Sequence, residues 1–301
     1  MPKKVVRLNS EGRIREKEKA LIIHELRREY DLKDLLQSAD MPRSTFYYYL
    51  KQEKTTDKYA QIKTQIRKIY ERHKGRFGYR RIVYALRNLG FHINRRTVLR
   101  SMKVLGLKSV IRAKKYRSYR GQFGKAPDNI LQHNFKAKCP SEKWATDVTE
   151  FKVGSQKVYL SPVIDLFNGE IISYELAGSP NFKQVTDMLK KAFKRVPGKR
   201  TNLIIHSDQG WQYQMKAYQD LLRKKAVVQS MSRKGNCLDN AVIENFFGTI
   251  KSELFYLKKY QSIEELKKDI KSYITYYNHD RIRINLEGTS PVKYRTHRFK
   301  N

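Results

Sequence analysis

Apolar residues recur at helical spacing through the first third of the chain. Residues 13–30 predict a helix, followed by a shorter one at residues 32–38. The apolar face of the first helix consists of Ala20, Ile23, Leu26 and Tyr30. Pro42 and Ser44 are start signals for another short helix. This order outlines a helix-turn-helix unit, although a small helical bundle with incidental charge has the same pattern.

A second pair of helices is predicted a little further along the chain. The first of them follows Gly78 and ends at Gly90. Asn94 can cap the second, because its side chain can accept a hydrogen bond from a free backbone N–H group. Arg95 and Arg96 then lie in the first turn, where a recognition helix faces the major groove. We expect both arginines to bind DNA.

A strongly basic tract follows at residues 112–120, with five cations and two tyrosines in nine residues. Lys114, Lys115 and Arg117 are expected to contact phosphates, and the tyrosines suit stacking on bases or sugars. A solvated charged linker has the same composition. Both alternatives place the tract outside a packed core.

Beyond residue 144 the apolar pattern becomes that of strands. Strands are predicted at residues 144–151, 157–164, 171–176, 203–207 and 227–229. Helices are predicted at residues 181–195, 214–224 and 238–257. Three strands followed by alternating helices and strands predict the α/β class, with a ribonuclease H-like mixed sheet flanked by helices. The all-α helix-turn-helix units precede this core.

The charge of the chain favours nucleic acid as the partner. Its 301 residues include 64 Lys and Arg against 29 Asp and Glu, a formal net charge of +35. The excess is +24 in residues 1–140 and +11 in residues 141–301. Binding therefore dominates the first half, and acids become available for chemistry in the second. Hydrophobic residues make up 40% of the chain, too many for a disordered basic tail.

Three acids of the second half are candidate catalytic residues and metal ligands. Asp147 lies among strand-forming residues in WATDVTEF, and Asp208 ends the predicted strand LIIHSD. Glu244 lies in the last long helix, where a solvated Glu–Lys face is the alternative; for Asp208 the alternative is a turn residue. Asp165 is expected in a turn, and Asp239 in the first turn of the helix.

The helix that contains Glu244 separates its apolar and polar sides. Its apolar stripe consists of Val242, Phe246, Ile250 and Leu254. Glu244 faces away from that stripe, with Gly248 and Lys251 on its own side. The glycine permits close approach of a phosphate backbone, which Lys251 can neutralise. Three hard oxygen ligands suit Mg²⁺ or Mn²⁺, and two such ions about 4 Å apart stabilise the attacking and leaving oxygens of phosphoryl transfer.

The segments WATDVTEF, HSDQG and SRKGNCLDNAVIENFFGTIKSE together resemble the catalytic blocks of OrfB-type insertion-sequence DDE transposases, whose core is similar to that of retroviral integrases. Asp208 and Glu244 are separated by 35 residues, and Lys251 follows the glutamate by seven, as is common in that family. The segment GYRRIVYALRNLGFHINRRTVLRSMKVLGLK resembles the helix-turn-helix of the same group, and the tail from Tyr277 to Tyr294 is also similar.

The resemblance implies a DNA transposase that binds the terminal inverted repeats of an insertion sequence. Asp147, Asp208 and Glu244 would hold two Mg²⁺ or Mn²⁺ ions and catalyse 3′-end cleavage followed by strand transfer into target DNA. Catalysis on paired ends implies a homo-oligomer. The zinc domain of integrases is absent from this sequence, and an upstream-frame protein or fusion partner is expected in this group.

Two other functions remain open at this point: a catalytically silent DNA-binding regulator, and a ribonuclease H-like nuclease without strand transfer. The presence of all three acids argues against the first, and the basic helical half argues against the second. A strand-transfer assay with a pre-cut 3′ end separates the nuclease from the transposase.

The expected domains are a helical, helix-turn-helix region at 1–55, a second helix-turn-helix with its basic linker at 56–125, and the catalytic core with a helical tail at 135–297. The sequence contains no signal peptide and no apolar segment long enough to cross a bilayer. We therefore expect a cytoplasmic, nucleoid-associated bacterial protein without a membrane partner. Cys139 and Cys237 lack the spacing of a disulfide framework or zinc site.

Overall fold

The computed structural model describes residues 16–54, 57–111, 131, 134–196, 202–232 and 240–299. They belong to two compact units, one ending at Thr64 and the other beginning at Gln65. The second unit contains both the second pair of helices and the α/β core, which the sequence analysis treats as separate domains. No helix in the described part of the chain is long and apolar enough to cross a membrane.

The first unit is a small helical bundle. Its helices are α1 (Glu16–Leu26), α2 (Leu32–Ser38), α3 (Arg43–Lys54) and the start of α4 (Ala60–Arg72). Ala20, Ile23 and Phe46 are fully buried where α1 packs against α3. Helix α1 is shorter than predicted, because the backbone after Leu26 leaves the helix for a turn. Asp31 caps α2 by accepting a hydrogen bond from the N–H of Lys33.

The second pair of helices forms as predicted. It consists of α5 (Tyr79–Asn88) and α6 (Arg95–Val104). Gly90 follows α5 with a φ of +86°, a conformation that favours glycine. Asn94 caps α6, and its side chain accepts a hydrogen bond from the N–H of Arg96 at 2.8 Å. Ile82, Leu86 and other apolar side chains of both helices are buried.

A six-stranded mixed sheet forms the centre of the second unit. Its strands are β1 (Lys143–Thr146), β2 (Thr149–Val153), β3 (Gln156–Asp165), β4 (Ile171–Ala177), β5 (Ile204–Ser207) and β6 (Val228–Met231). The order is β2-β3-β1-β5-β6, and β4 also pairs with β3. β1, β5 and β6 run parallel, whereas the pairings of β3 are antiparallel. The predicted mixed sheet is therefore confirmed.

Helices cover both faces of the sheet. They are α7 (Phe182–Arg195), α8 (Trp211–Gln214), α9 (Lys216–Lys224), α10 (Ala241–Glu253), α11 (Ile263–His279) and α12 (Pro291–Arg298). Because side chains alternate along a strand, Trp144 of β1 packs with α7 and α9 while its neighbour Ala145 packs with α10 and α11. Both residues are buried, so β1 lies in the middle of the core.

Three predicted elements are divided or shortened. The strand predicted at 144–151 is interrupted at Asp147 and Val148, and the segments on either side, β1 and β2, pair with β3 in one continuous register. The helix predicted from residue 214 begins at Lys216, after an extended Met215. The long helix predicted at 238–257 is α10, which ends at Glu253 because Leu254 departs from helical geometry.

Candidate active site

The register of two parallel strands brings Asp147 and Asp208 to the same edge of the sheet. Ala145 of β1 pairs with His206 of β5. Asp147 lies two residues after Ala145, and Asp208 lies two residues after His206. Both aspartates therefore leave the carboxyl ends of adjacent parallel strands, where their side chains can act on one ligand. Both are partly buried.

Each aspartate is held by its own loop. The Oδ1 atom of Asp147 accepts a hydrogen bond from the N–H of Val148 at 2.7 Å. The Oδ1 atom of Asp208 accepts one from the N–H of Gly210 at 3.0 Å. The second carboxylate oxygen of each residue is not used by these bonds, so each can bind a cation.

The electrostatics of this edge disfavour ionised carboxyl groups. Burial, together with the negative charges of Asp208 and Glu244, raises the pKa of Asp147 to about 7, against the hydrogen bond from Val148. Burial also raises the pKa of Asp208, against the hydrogen bond from Gly210. The buried Tyr213 lies close enough that both aspartates raise its pKa, after burial. A cation at this edge would offset this repulsion.

Glu244 approaches the aspartate pair from helix α10. It lies in the first turn and is exposed, whereas Ile243, Phe246 and Ile250 are buried between α10 and the sheet. Its charge contributes to the raised pKa of Asp147, which places the three acids in one electrostatic environment. Within the described residues, however, no three His, Cys, Asp or Glu side chains are grouped closely enough to hold a metal ion. Glu244 is thus near the pair without completing it.

The donor set of the site fits a hard divalent cation. Asp147 and Asp208 offer carboxylate oxygens, which Mg²⁺ and Mn²⁺ prefer. Their mutual repulsion is the feature that a divalent ion would relieve. The ammonium group of Lys251, on the same helix as Glu244, lies over the Phe151 ring, 5.4 Å from the ring centre.

Asp165 is not part of this site. It pairs with Trp144 at the start of β1, whereas Asp147 follows the end of that strand. Its carboxylate accepts hydrogen bonds from the N–H groups of Ser141 at 2.8 Å and Phe167 at 2.9 Å. The turn role expected for Asp165 agrees with these contacts.

The predicted DNA-binding residues fall in two classes. Arg95 and Arg96 are exposed in the first turn of α6, on a helix whose Val98 and Met102 are buried. The predicted phosphate contacts Lys114, Lys115 and Arg117 lie outside the described residues, as do Asp239 and Cys237. Cys139 is exposed and free, as expected for a residue without a disulfide partner.

Comparison with known proteins identifies the family. Residues 137–237 match the family described as Integrase core domain, and residues 244–299 match a second family of that description. Residues 58–115 match the family described as HTH-like domain. The putative transposase InsK for insertion sequence element IS150 of Escherichia coli (strain K12) is 51% identical over 278 residues, 92% of this chain and 98% of that protein. The chain belongs to the insertion-sequence transposases.

Other relatives carry the same description. The probable transposase for insertion sequence element IS1353 of Shigella flexneri is 36% identical over 93% of this chain and 55% of that protein. The HTLV-2 integrase catalytic core domain in complex with magnesium matches 53% of this chain and 99% of its own, with 18% identity and a TM-score of 0.44. The family prediction is confirmed: the transposase is a polynucleotidyl transferase with an integrase core and an HTH-like domain.

Sequence reasoning missed two residues of this unit. Tyr213 is fully buried beside the aspartates, and nothing in its spacing distinguished it from an ordinary core tyrosine. Glu253, the last residue of α10, is buried among cations from distant segments. The one available signal was a glutamate on the buried side of a helix, and its partners were not visible in the sequence.

Proposed function

We propose that this transposase cuts the ends of its element and joins them to target DNA with Asp147, Asp208 and Glu244 as catalytic residues. The observation that carries the proposal is the position of Asp147 and Asp208 at the adjacent carboxyl ends of parallel β1 and β5, two residues beyond the paired Ala145 and His206, with a raised pKa at Asp147. Glu244, on a helix packed against the same sheet, is the third acid.

We assign Mg²⁺ or Mn²⁺, two ions per active site, to these three carboxylates. Bound there, the ions would supply Lewis-acid stabilisation of the attacking and leaving oxygens of a phosphodiester. The chain's own part is to hold Asp147 and Asp208 in register through the strand pairing and to bring Glu244 toward them on α10.

Two in-line displacements at phosphorus then suffice. In the first, a water oxygen bonds to the phosphorus at the element end, and the bond to the 3′ oxygen breaks, leaving a 3′-hydroxyl. In the second, that hydroxyl bonds to a target phosphorus and displaces the target's own 3′ oxygen. Both steps exchange one phosphodiester oxygen for another, so the same carboxylates serve both.

The DNA partners are the terminal inverted repeats and the target duplex. Arg95 and Arg96 are placed to read base edges, since the first turn of a recognition helix enters the major groove. Lys114, Lys115, Arg117 and Lys251 are assigned to phosphates. The transposase would act as a homo-oligomer on paired element ends, together with an upstream-frame protein or as a fusion with it. It would do so in the bacterial cytoplasm, at the nucleoid.

Isosteric variants test the catalytic assignment. Asp147→Asn, Asp208→Asn and Glu244→Gln remove one charge each at nearly constant shape. We expect each to lose Mg²⁺-dependent joining of a pre-cut 3′ end while end binding persists. Asp165→Asn is the matched control, because it also alters a buried acid with a raised pKa, but one that lies at the other end of β1. Retained joining in any of the three variants contradicts the role of that residue.

Binding measurements test the DNA assignment. In the full chain, Arg95→Ala and Arg96→Ala should each reduce the preference for a terminal repeat over a scrambled duplex, by about 1–3 kcal/mol. Substituting Lys114, Lys115 and Arg117 should weaken binding to both duplexes alike and reduce the salt dependence. Loss of affinity without loss of preference in the Arg95 and Arg96 variants would remove them from base recognition.

A further inference from the structure

Helix α10 carries a glutamate at each end, in opposite environments. Glu244, in the first turn, is exposed, whereas Glu253, the last residue, is 2% exposed. The two are nine residues apart, which corresponds to about 13 Å along the axis and to opposite sides of the helix. The candidate catalytic residue and the buried glutamate are thus joined by one continuous helix.

The Glu253 carboxylate is bound from three other segments. Arg281 donates to both oxygens, from Nε to Oε2 at 2.9 Å and from a terminal nitrogen to Oε1 at 2.8 Å. Tyr273 of α11 donates its hydroxyl to Oε2 at 2.9 Å. Arg81 of α5 donates to Oε1 at 3.1 Å. We call these four residues the Glu253 cluster.

Arg81 reaches the cluster from the HTH-like domain, which spans residues 58–115. A second arginine of that domain, Arg76, donates from Nε to the backbone carbonyl of Glu253 at 2.9 Å. Its guanidinium group also lies over the rings of Tyr276 and Tyr273, at 4.8 and 5.4 Å from their centres. The end of α10 is therefore held directly by the DNA-binding domain.

Further contacts join the same domain to the C-terminal segment. Asn88 of α5 donates to the carbonyl of Gly288 at 3.1 Å. Gly288 has a φ of +75°, and a Cβ atom there would lie 2.1 Å from the ring of Tyr84. The Nδ1 atom of His73 lies 3.3 Å from the hydroxyl oxygen of Tyr276, within hydrogen-bond distance. These contacts favour a rigid association of the HTH-like domain with the catalytic core.

The cluster contains more positive charge than Glu253 needs for its own stabilisation. Arg281 alone makes a two-point ion pair with the carboxylate, which is the strong geometry for an arginine and an acid. With the bond from Tyr273, Arg81 adds a fourth hydrogen bond, although Arg281 already pairs with the carboxylate without it. The significance of the Arg81 contact therefore lies in where it is made. In the described part of the chain, it is the one side-chain ion pair that joins α5 to α10.

We propose that Glu253 is a positioning residue, through which Arg81 of the DNA-binding domain fixes the placement of α10 and hence of Glu244. The inference rests on the proposed function, since it concerns the delivery of Glu244 to the aspartate pair. Among the described residues, Glu244 does not form a metal-holding group with Asp147 and Asp208, so the position of α10 decides whether Glu244 joins them. Catalytic groups tolerate displacements of well under 1 Å.

A matched pair of arginine variants tests the proposal. Arg81→Met removes the ion pair and keeps the aliphatic stem, while Arg281 still binds Glu253, so we expect the protein to fold. Arg80→Met is the control, because the neighbouring Arg80 is exposed and donates to Tyr79 instead. Both proteins are compared with the wild type for end binding, for joining of a pre-cut 3′ end, and for the Mg²⁺ concentration that gives half-maximal joining.

We expect Arg81→Met to join about tenfold more slowly and to require several-fold more Mg²⁺, with end affinity within about twofold of the wild type. Amide hydrogen exchange should accelerate in the first turn of α10 and stay unchanged in β5. A purely structural loss lowers the melting temperature without shifting the Mg²⁺ requirement. Arg80→Met should leave joining, the Mg²⁺ requirement and α10 exchange unchanged.

A double-mutant cycle locates the effect at Glu253. If Arg81 acts through Glu253, adding Arg81→Met to Glu253→Gln should cost little further joining activity. Where Glu253→Gln fails to fold, Arg81→Lys replaces Arg81→Met in the comparison with Arg80→Met. Wild-type joining and Mg²⁺ requirement in Arg81→Met, or the same loss in Arg80→Met, overturn the proposal. Loss of joining in Glu244→Gln alongside either result shows that the proposed function survives.

Discussion

Asp147 and Glu253 are both acids withdrawn from solvent in the same compact unit, yet their pKa values are shifted in opposite directions. Burial, together with two further negative charges, raises the pKa of Asp147 to about 7. Burial would also raise the pKa of Glu253, but the hydrogen bonds and charge of Arg281 and the charge of Arg81 hold it below its usual range. The difference is one of partners, not of burial.

Buried acids that pair with arginines stabilise the fold, whereas acids that lie beside other acids are suited to bind a cation. Glu170 repeats the first pattern: it is fully buried and pairs with Arg195 at 2.7 Å and Arg295 at 2.8 Å. In the described structure, the hydrogen bonds to the Asp147 and Asp208 carboxylates come from backbone N–H groups, and neither carboxylate pairs with an arginine. Unrelieved repulsion between neighbouring carboxylates, with a raised pKa, is typical of a functional site.

The largest effect on stability is expected at the paired acid. Glu253→Gln removes the anion and leaves the guanidinium groups of Arg81 and Arg281 buried together, so the free energy of unfolding should fall by about 3 kcal/mol. Urea unfolding at pH 7 measures it. Glu150→Gln, at an exposed glutamate that binds Lys157, should leave stability nearly unchanged. If Glu253→Gln and Glu150→Gln lose equal amounts of unfolding free energy, the buried arginine contacts of Glu253 contribute no extra stability.

Lys251 tests whether α10 also contributes a cation to the unpaired site. Lys251→Ala should lower strand transfer about tenfold and weaken end binding, because a lost phosphate contact costs on the order of 1 kcal/mol. The metal affinity of the free protein should change little. Lys251→Met keeps a stem over Phe151 and should behave like the alanine variant if the charge matters. Wild-type joining by Lys251→Met would assign the residue to packing.

Local signals predicted much of this fold. The range 32–38 was the observed α2, and the cap at Asn94 formed, because both depend on neighbouring residues alone. The strand predicted at 144–151 forms as β1 and β2, which pair with β3 in one register on either side of Asp147 and Val148. The apolar alternation therefore predicted the extended segment, but nothing in it marks the two-residue interruption at Asp147.

The candidate site shows the same limit. Strand ends and the parallel register explain why Asp147 and Asp208 could be proposed from the sequence as neighbours. The Glu253 cluster could not, because Arg81 lies 172 residues from Glu253 and no spacing rule connects them. The exposure of Glu244, by contrast, could be predicted, because the residue lies opposite the apolar stripe of its helix. Contacts between distant segments form the Glu253 cluster.

A smaller effect, of opposite sign, is expected at the unpaired acid. The folded-state pKa of Asp147 lies above its ordinary value of 3.8, so its contribution to stability falls as the pH rises from about 4 to about 7. Asp147→Asn removes the repulsion and should be more stable than the wild type at pH 8, with less difference at pH 5. Mg²⁺ should stabilise the wild type more than the variant. If Asp147→Asn is instead less stable than the wild type at pH 8, Asp147 stabilises the fold as Glu253 does.

The smallest effect concerns His73, which lies beside the cations that surround Glu253. Burial lowers the pKa of His73 to about 4, and the charge of Arg72 adds to the shift. Its folded-state pKa is below its ordinary value of 6.5, so the unfolded chain binds the extra proton between these values. Stability should therefore fall as the pH drops from about 6.5 toward 4, by about 1 kcal/mol after allowance for solvent screening. His73→Phe preserves a ring against Phe77 and should remove this part of the pH dependence. Urea unfolding at pH 7 and pH 5 measures the difference, and parallel pH profiles for the two proteins would show that His73 carries no unfavourable charge in the folded state.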